Sequence, residues 1–159
     1  MKKAFFALAF ACMLAMCPSC EKEGISDGTT LEGTYILQKV EITFADGEKE
    51  VYDNKDDFYS DNDEILFDYE YRFKKNGSYS FKGAPEESLV SGCSYTIKGN
   101  VLSMTLASLW DTQFTAYTIV SNKGGTLVLE PTKSMLDFYN DFAIFYEPIK
   151  KTTGTYKRQ

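Results

Sequence analysis

Residues 69–81 read YEYRFKKNGSYSF, and the spacing of their aromatic side chains decides the fold. Tyr69, Tyr71 and Phe73 take every second position before Asn76-Gly77, and Tyr79 and Phe81 do so after it. A period of two is that of a strand with one buried face, so two strands meet at a tight turn. A two-residue Asn76-Gly77 turn would set Phe73 opposite Ser80 and send the two aromatic rows to opposite faces. A three-residue loop of Lys75, Asn76 and Gly77, with Gly77 at the left-handed position of a bulge, pairs Phe73 with Tyr79 and Tyr71 with Phe81. The three-residue loop is therefore expected.

The same test extends outward. Upstream, Ile65 and Phe67 continue the aromatic row. Ile36, Val40, Ile42 and Phe44 form an apolar face against Lys39, Glu41 and Thr43, with Gln38 the one polar residue on the apolar side. Asp46-Gly47 fits a two-residue turn that pairs Ala45 with Glu48, sets Val51 opposite Ile42 and starts a short strand to Tyr52. Downstream, a two-residue turn at Gly99-Asn100, with glycine first as a type II′ turn prefers, pairs Ile97 with Leu102 and Tyr95 with Met104, and its extension sets Cys93 opposite Leu106. Asn122-Lys123-Gly124 as a three-residue loop pairs Ile119 with Leu127 and Tyr117 with Leu129. After Pro131 the alternation stops, and Lys133 to Asn140 reads as one or two helical turns. Ala143 to Ile149 reads as the last strand, and residues 150–159 as a polar tail carrying Lys150, Lys151, Lys157 and Arg158. Eight to nine short strands joined mostly by hairpins specify an all-β fold: a single antiparallel up-and-down barrel over residues 31–149, in which closure removes the exposed edges.

Composition narrows the chemistry. The 159 residues contain no histidine, which removes histidine general bases, Ser-His-Asp and Cys-His nucleophile pairs and the usual zinc sets. Charged residues make up 25% and aromatics 15%, a globular composition that favours strands.

The amino terminus reads as an address. Lys2 and Lys3 precede an apolar run from Ala4 to Met16, the n- and h-regions of a secretory signal over residues 1–19. As a helix that run reaches roughly 20 Å, short of a hydrocarbon core of roughly 30 Å. Cys17-Pro18-Ser19-Cys20-Glu21 resembles a bacterial lipoprotein cleavage site, with small Ser19 just before a lipidated Cys20; Cys17 is the competing site, and a plain secreted protein the other alternative. The resemblance implies a membrane partner through an N-terminal lipid anchor. Glu21 and Glu23 resemble the acidic signals that send Bacteroidota lipoproteins to the cell surface, so the expected location is the outer membrane, lipid-anchored, with cell-surface exposure as its variant. Residues 20–30 read as a flexible tether. Without residues 1–19 the chain carries 15 basic against 23 acidic residues, a net of −8, which argues against nucleic acid as a partner. Of the four cysteines only Cys93 would remain free in the mature protein, and its register points it inward as a buried, inert thiol.

Gly33-Thr34-Tyr35 resembles the start of lipocalin-like domains, where a Gly-x-Trp pattern opens the first strand and the aromatic plugs the barrel base; here Tyr35 replaces the tryptophan. The run Tyr71 to Tyr79 and the run Ser94 to Leu102 are similar to those of the small lipocalin-like lipoproteins of Bacteroidota. The resemblance implies a barrel whose long connection near the first strands caps an open mouth. Asp53 to Glu64 would be that connection, a lid or short helix, with Phe58 and Tyr59 either lid aromatics or packed on the barrel.

An eight-stranded barrel is just wide enough to be filled by side chains or to hold one small ligand. Among the inward tyrosines, Tyr71, Tyr95 and Tyr117 need partners for their hydroxyls, as Gln38 does for its amide. Gln38, Phe58, Tyr71, Tyr95 and Tyr117 are thus the candidate ligand-binding residues, the alternative being that the hydroxyls reach the barrel mouths or bond one another. The acids of Asp53 to Glu64 fail the EF-hand template, since Lys55 takes its third position and Phe58 the place of its glycine, and no metal centre or cofactor is expected. Trp110 packs on a barrel end or forms an exposed recognition site. The expected function is non-enzymatic: a membrane-anchored, lipocalin-like lipoprotein binding a small apolar or amphipathic molecule in or at the mouth of the barrel. The alternative is a protein-binding or structural module of the cell envelope, with a filled barrel and an envelope protein as partner.

Overall fold

In the computed structural model, which describes residues 31–53, 66–107, 112–141 and 147–159, the described chain forms β1 (Gly33–Phe44), β2 (Lys49–Tyr52), β3 (Glu70–Phe73), β4 (Ser78–Lys82), β5 (Val90–Lys98), β6 (Val101–Ala107), β7 (Thr112–Lys123), β8 (Thr126–Pro131), α1 (Lys133–Asp141) and β9 (Ile149–Arg158). Every strand pairing is antiparallel, and β9 returns to β1, closing an eight-stranded barrel with β2 as an extra strand. The length of β1 allows this. Along one edge it pairs with β9 from Tyr35 to Phe44, while its other edge is divided between β3, at Gly33–Ile36, and β2, at Val40–Thr43. The all-β barrel read from the period of two is the observed fold. The signal segment, Cys17, Cys20, the tether, Phe58, Tyr59 and Trp110 lie outside the described residues, as does all of the acidic connection except Asp53 and its immediate approach.

The loop at residues 75–77 has the expected form. Lys74 N–H donates to Ser78 O, Gly77 N–H donates to Lys74 O, Gly77 has φ 80°, and Phe73 faces Tyr79 while Tyr71 faces Phe81. Asn76 Oδ1 accepts the Ser78 N–H at 3.0 Å, which holds the turn. The β5–β6 register also agrees, with Ile97 facing Leu102 and Tyr95 facing Met104.

Four readings need correction. The Asp46-Gly47 connection is a three-residue loop like the one at 75–77: Phe44 N–H donates to Glu48 O, and Asp46 Oδ1 accepts the Glu48 N–H at 2.8 Å. Ile42 therefore faces Glu50, and Val51 is 54% exposed. At the β7–β8 hairpin the turn is Gly124-Gly125, both with positive φ, the combination a type I′ turn requires. Continued without a bulge that turn would set Val120 opposite Leu129; a bulge between Ile119 and Ser121 instead makes Leu129 the partner of Ile119 and Pro131 that of Tyr117, in place of the expected Leu127 and Leu129, with Val120 turned outward.

The third correction concerns Gln38. A bulge between Leu37 and Lys39 makes Gln38 the extra residue, so the buried face of β1 runs Tyr35, Leu37, Val40, Ile42 instead of through Ile36 and Gln38. Gln38 is exposed, and its Nε2 donates to the carbonyls of Ile36 and Leu37. The fourth is the largest: residues 150–158 are no polar tail but most of β9, burying Ile149, Thr152, Gly154 and Tyr156 at the seam of the barrel. Threonine and glycine carry the inward alternation there, so no apolar row shows in the sequence.

The core is a lumen filled largely by rings. Phe73 and Tyr95 meet edge-on at 5.1 Å, and Tyr71 lies 5.3 Å from Tyr156. Cys93 is buried as expected, and burial pushes its thiol above the ordinary range while Tyr79 acts the other way.

Candidate functional site

The two barrel ends differ in what covers them. One carries Leu31, the loop at 75–77, the Gly99 and Gly124 turns and the end of β9, drawn together by bonds such as Tyr95 N–H to Gly77 O and Arg158 N–H to Gly125 O. The other carries the β1–β2 loop, the β4–β5 connection and α1. Helix α1 begins after Thr132, whose carbonyl accepts the Leu136 N–H, and it buries Met135. Its far end is tied to β9 by Asn140, which donates from Nδ2 to Ile149 O and accepts the Ile149 N–H on Oδ1, both at 2.9 Å.

At this second end, residues 66–69 leave the strand geometry expected of them. The strand β3 begins only at Glu70, and just before it the neighbours Leu66 and Phe67 are both buried, at 4% and 1% exposure. Phe67 stacks on Tyr117 at 5.7 Å. Backbone bonds from Leu37 N–H to Tyr69 O and from Tyr69 N–H to Gly83 O anchor the segment from either side. Two tyrosine hydroxyls complete its hold: Tyr117 Oη donates to Leu66 O at 2.7 Å, and Tyr156 Oη donates to Asp68 O at 2.9 Å.

Between this segment and the barrel wall lies a cavity of about 180 Å³, lined by Leu66, Asp68, Tyr79, Phe81, Leu106, Thr115, Tyr117 and Tyr139. Asp68 is the charged residue among them. Burial raises its carboxyl from the ordinary 3.8 to about 6, the nearby Tyr71 hydroxyl opposes the rise, and Glu87 adds to it. Tyr71 is fully buried, and its Oη makes no hydrogen bond of ordinary geometry. Burial first, and the Asp68 carboxylate second, hold the Tyr71, Tyr117 and Tyr139 hydroxyls above the usual phenol range, so these groups stay protonated.

The expected candidates are divided by this geometry. Tyr117 lines the cavity, and Tyr71 stands beside Asp68 at its edge. Tyr95 belongs to the opposite end, where its hydroxyl lies 2.7 Å from Leu31 O and 2.9 Å from Lys74 O and so is satisfied by backbone. Gln38 sits outside the barrel, and Phe58 is beyond the described residues. Asp68, Tyr79, Phe81, Leu106, Thr115 and Tyr139 join the site without having been anticipated as such. The signal for Asp68 was present in Ile65-Leu66-Phe67, three consecutive apolar residues that break the alternation just before it.

A carboxyl with a raised pKa is protonated more readily when folded than when unfolded. Its contribution to stability is therefore full below pH 3.8, declines as pH rises through 6, and above that the folded state carries the cost of a desolvated charge. Asp68→Asn is expected to be more stable than the parent by about 2 kcal/mol near pH 8 and nearly equal to it near pH 4, read from urea midpoints. Lower stability of Asp68→Asn near pH 8 would show that the carboxylate has a stabilising partner. No family model, curated protein or solved structure matches the chain.

Proposed function

We propose that the protein is a lipocalin-like envelope lipoprotein, anchored through Cys20, whose barrel holds one small molecule at the end covered by α1. The observation that carries the ligand-binding reading is the cavity at Asp68, with four aromatic residues and one buried carboxyl on its walls. Its size sets the class of ligand. Drug-sized sites run to roughly 300–1,000 Å³, whereas a cavity of about 150 Å³ takes benzene, so 180 Å³ suits a molecule of roughly six to ten non-hydrogen atoms.

The test is a screen of fragments of that size by amide NMR. At least one fragment is expected to shift Leu106, Thr115 and Tyr139 together, and Thr115→Trp, which fills the cavity, to weaken its binding at least about tenfold. A screen without such a fragment, or binding untouched by Thr115→Trp, overturns the reading. Palmitate labelling of Cys20→Ala and Cys17→Ala checks the anchor, with label lost in the first and kept in the second. The envelope protein-binding alternative draws on Phe114 of β7 and Phe138 of α1, which are 74% and 56% exposed and offer the kind of ring that anchors protein interfaces.

A further inference from the structure

We infer that the cavity at Asp68 is a site for a small organic cation, an ammonium group carrying apolar substituents, held by the Asp68 carboxylate inside a wall of aromatic rings. The inference rests on the ligand-binding reading above and names the chemistry of its ligand. Tyr79, Phe81, Tyr117 and Tyr139 supply four rings around one acid. The electron-rich faces of such rings attract cations, most strongly where water is excluded.

Charge balance points the same way. The titratable groups that feel Asp68 from the surrounding elements are Tyr71 of β3, Tyr79 of β4, Glu87 of the β4–β5 connection, Cys93 of β5, Tyr117 of β7 and Tyr139 of α1. None of these is a base, and among the described residues no lysine or arginine pairs with Asp68. Above pH 6 the site thus holds a negative charge with no counterion among the described residues, the condition that burial penalises most. An anion would add to that charge. A neutral guest would displace water from the carboxylate and leave it unpaired.

A hard metal ion would need about six oxygen ligands, and the lining residues offer one carboxylate, three tyrosines and one threonine hydroxyl, with rings and aliphatic groups elsewhere. Among the described residues no group of three or more His, Cys, Asp or Glu gathers to hold a metal. An organic ammonium meets both halves of the wall: its charge pairs with Asp68, and its carbon substituents cover the rings.

The probes are benzylammonium, benzyl alcohol and benzoate, which share one shape and differ in charge. Each is titrated near pH 8 into the purified protein and into Asp68→Asn, with amide NMR as the readout. Benzylammonium is expected to bind at least about tenfold more tightly than benzyl alcohol, with benzoate weakest. Asp68→Asn should remove that preference, so that benzylammonium binds no more tightly than benzyl alcohol to the variant. Equal or tighter binding of benzyl alcohol to the parent protein overturns the cation assignment and leaves the cavity as a neutral-ligand site. A preference for benzylammonium that survives in Asp68→Asn overturns the role of Asp68. Binding of none of the three at the cavity residues, together with an empty fragment screen, removes the ligand-binding reading itself.

Discussion

A chain ending at Pro148 is expected to show no cooperative unfolding transition. The ten residues of β9 pair with β1 from Tyr35 to Phe44 and with β8 from Thr126 to Leu129, so their loss opens the barrel along two edges at once. Tyr156, which is fully buried, leaves the centre of the aromatic core, and Asp68 O loses the hydroxyl that holds residues 66–69 in place. Deleting a single large core side chain costs about 2–5 kcal/mol, and a domain of this size has only about 5–15 kcal/mol of stability to lose. Removing Tyr156 and Ile149 together with two ladders of backbone hydrogen bonds exceeds that margin. Thermal melts followed by circular dichroism, and the dispersion of the amide spectrum, report the outcome. A truncated protein that kept the parent transition would show residues 149–159 to be dispensable, and the barrel as described would be wrong.

The second large effect lies inside the same strand. A Cβ on Gly154 would fall 2.6 Å from Phe67 Cδ1 and 2.9 Å from Cε1, closer than such atoms approach. Phe67 cannot step aside, because it is 1% exposed and its other side is stacked on Tyr117. Gly154→Ala is therefore expected to destabilise by about 2–3 kcal/mol, at the upper end of ordinary overpacking costs, which for a domain of this size lowers Tm by roughly 10 °C. Because the obstacle is one ring, Phe67→Leu should relieve it. The double variant is expected to be more stable than the sum of the two single changes predicts, by at least about 1 kcal/mol. Strict additivity, or a Gly154→Ala protein within about 0.5 kcal/mol of the parent, would mean that the strand and residues 66–69 do not meet as described.

Both predictions concern residues that carry little hydrophobic signal, and that is where sequence reading and structure part. The aromatic rows on either side of Gly77 sit in the register that their alternation requires, as do Tyr95 and Met104. Local rules suffice in these hairpins, because the turn and the pattern it serves lie within a dozen residues of each other. A three-residue loop at Asn122-Lys123-Gly124 and the observed two-residue turn at Gly124-Gly125 leave the same residues facing inward, because the bulge at Val120 compensates the change of parity, so the letters are compatible with both although Ile119 meets Leu129 and not Leu127. Gln38 shows the same ambiguity: one extra residue in β1 reverses the faces, and only the partner strand β9 reveals it. In an unbroken strand Asp68 would face outward, so the alternation gives no sign of its place at the cavity. Chain direction changes there because Phe67 is accepted by Gly154, some ninety positions along the sequence.

From the sequence alone came the class of the fold, the number of strands, the places where glycine allows the chain to reverse, and an interior crowded with tyrosine and phenylalanine. These follow from interactions between near neighbours, which a single chain displays in its own order. Only the tertiary structure decided that Lys150 to Arg158 closes the barrel, that Gln38 stands outside it, and that Asp68 meets four aromatic residues around a cavity. Such facts depend on which distant segments share space. Closure makes β9 part of the core by placing it between β1 and β8, whatever the polarity of its residues.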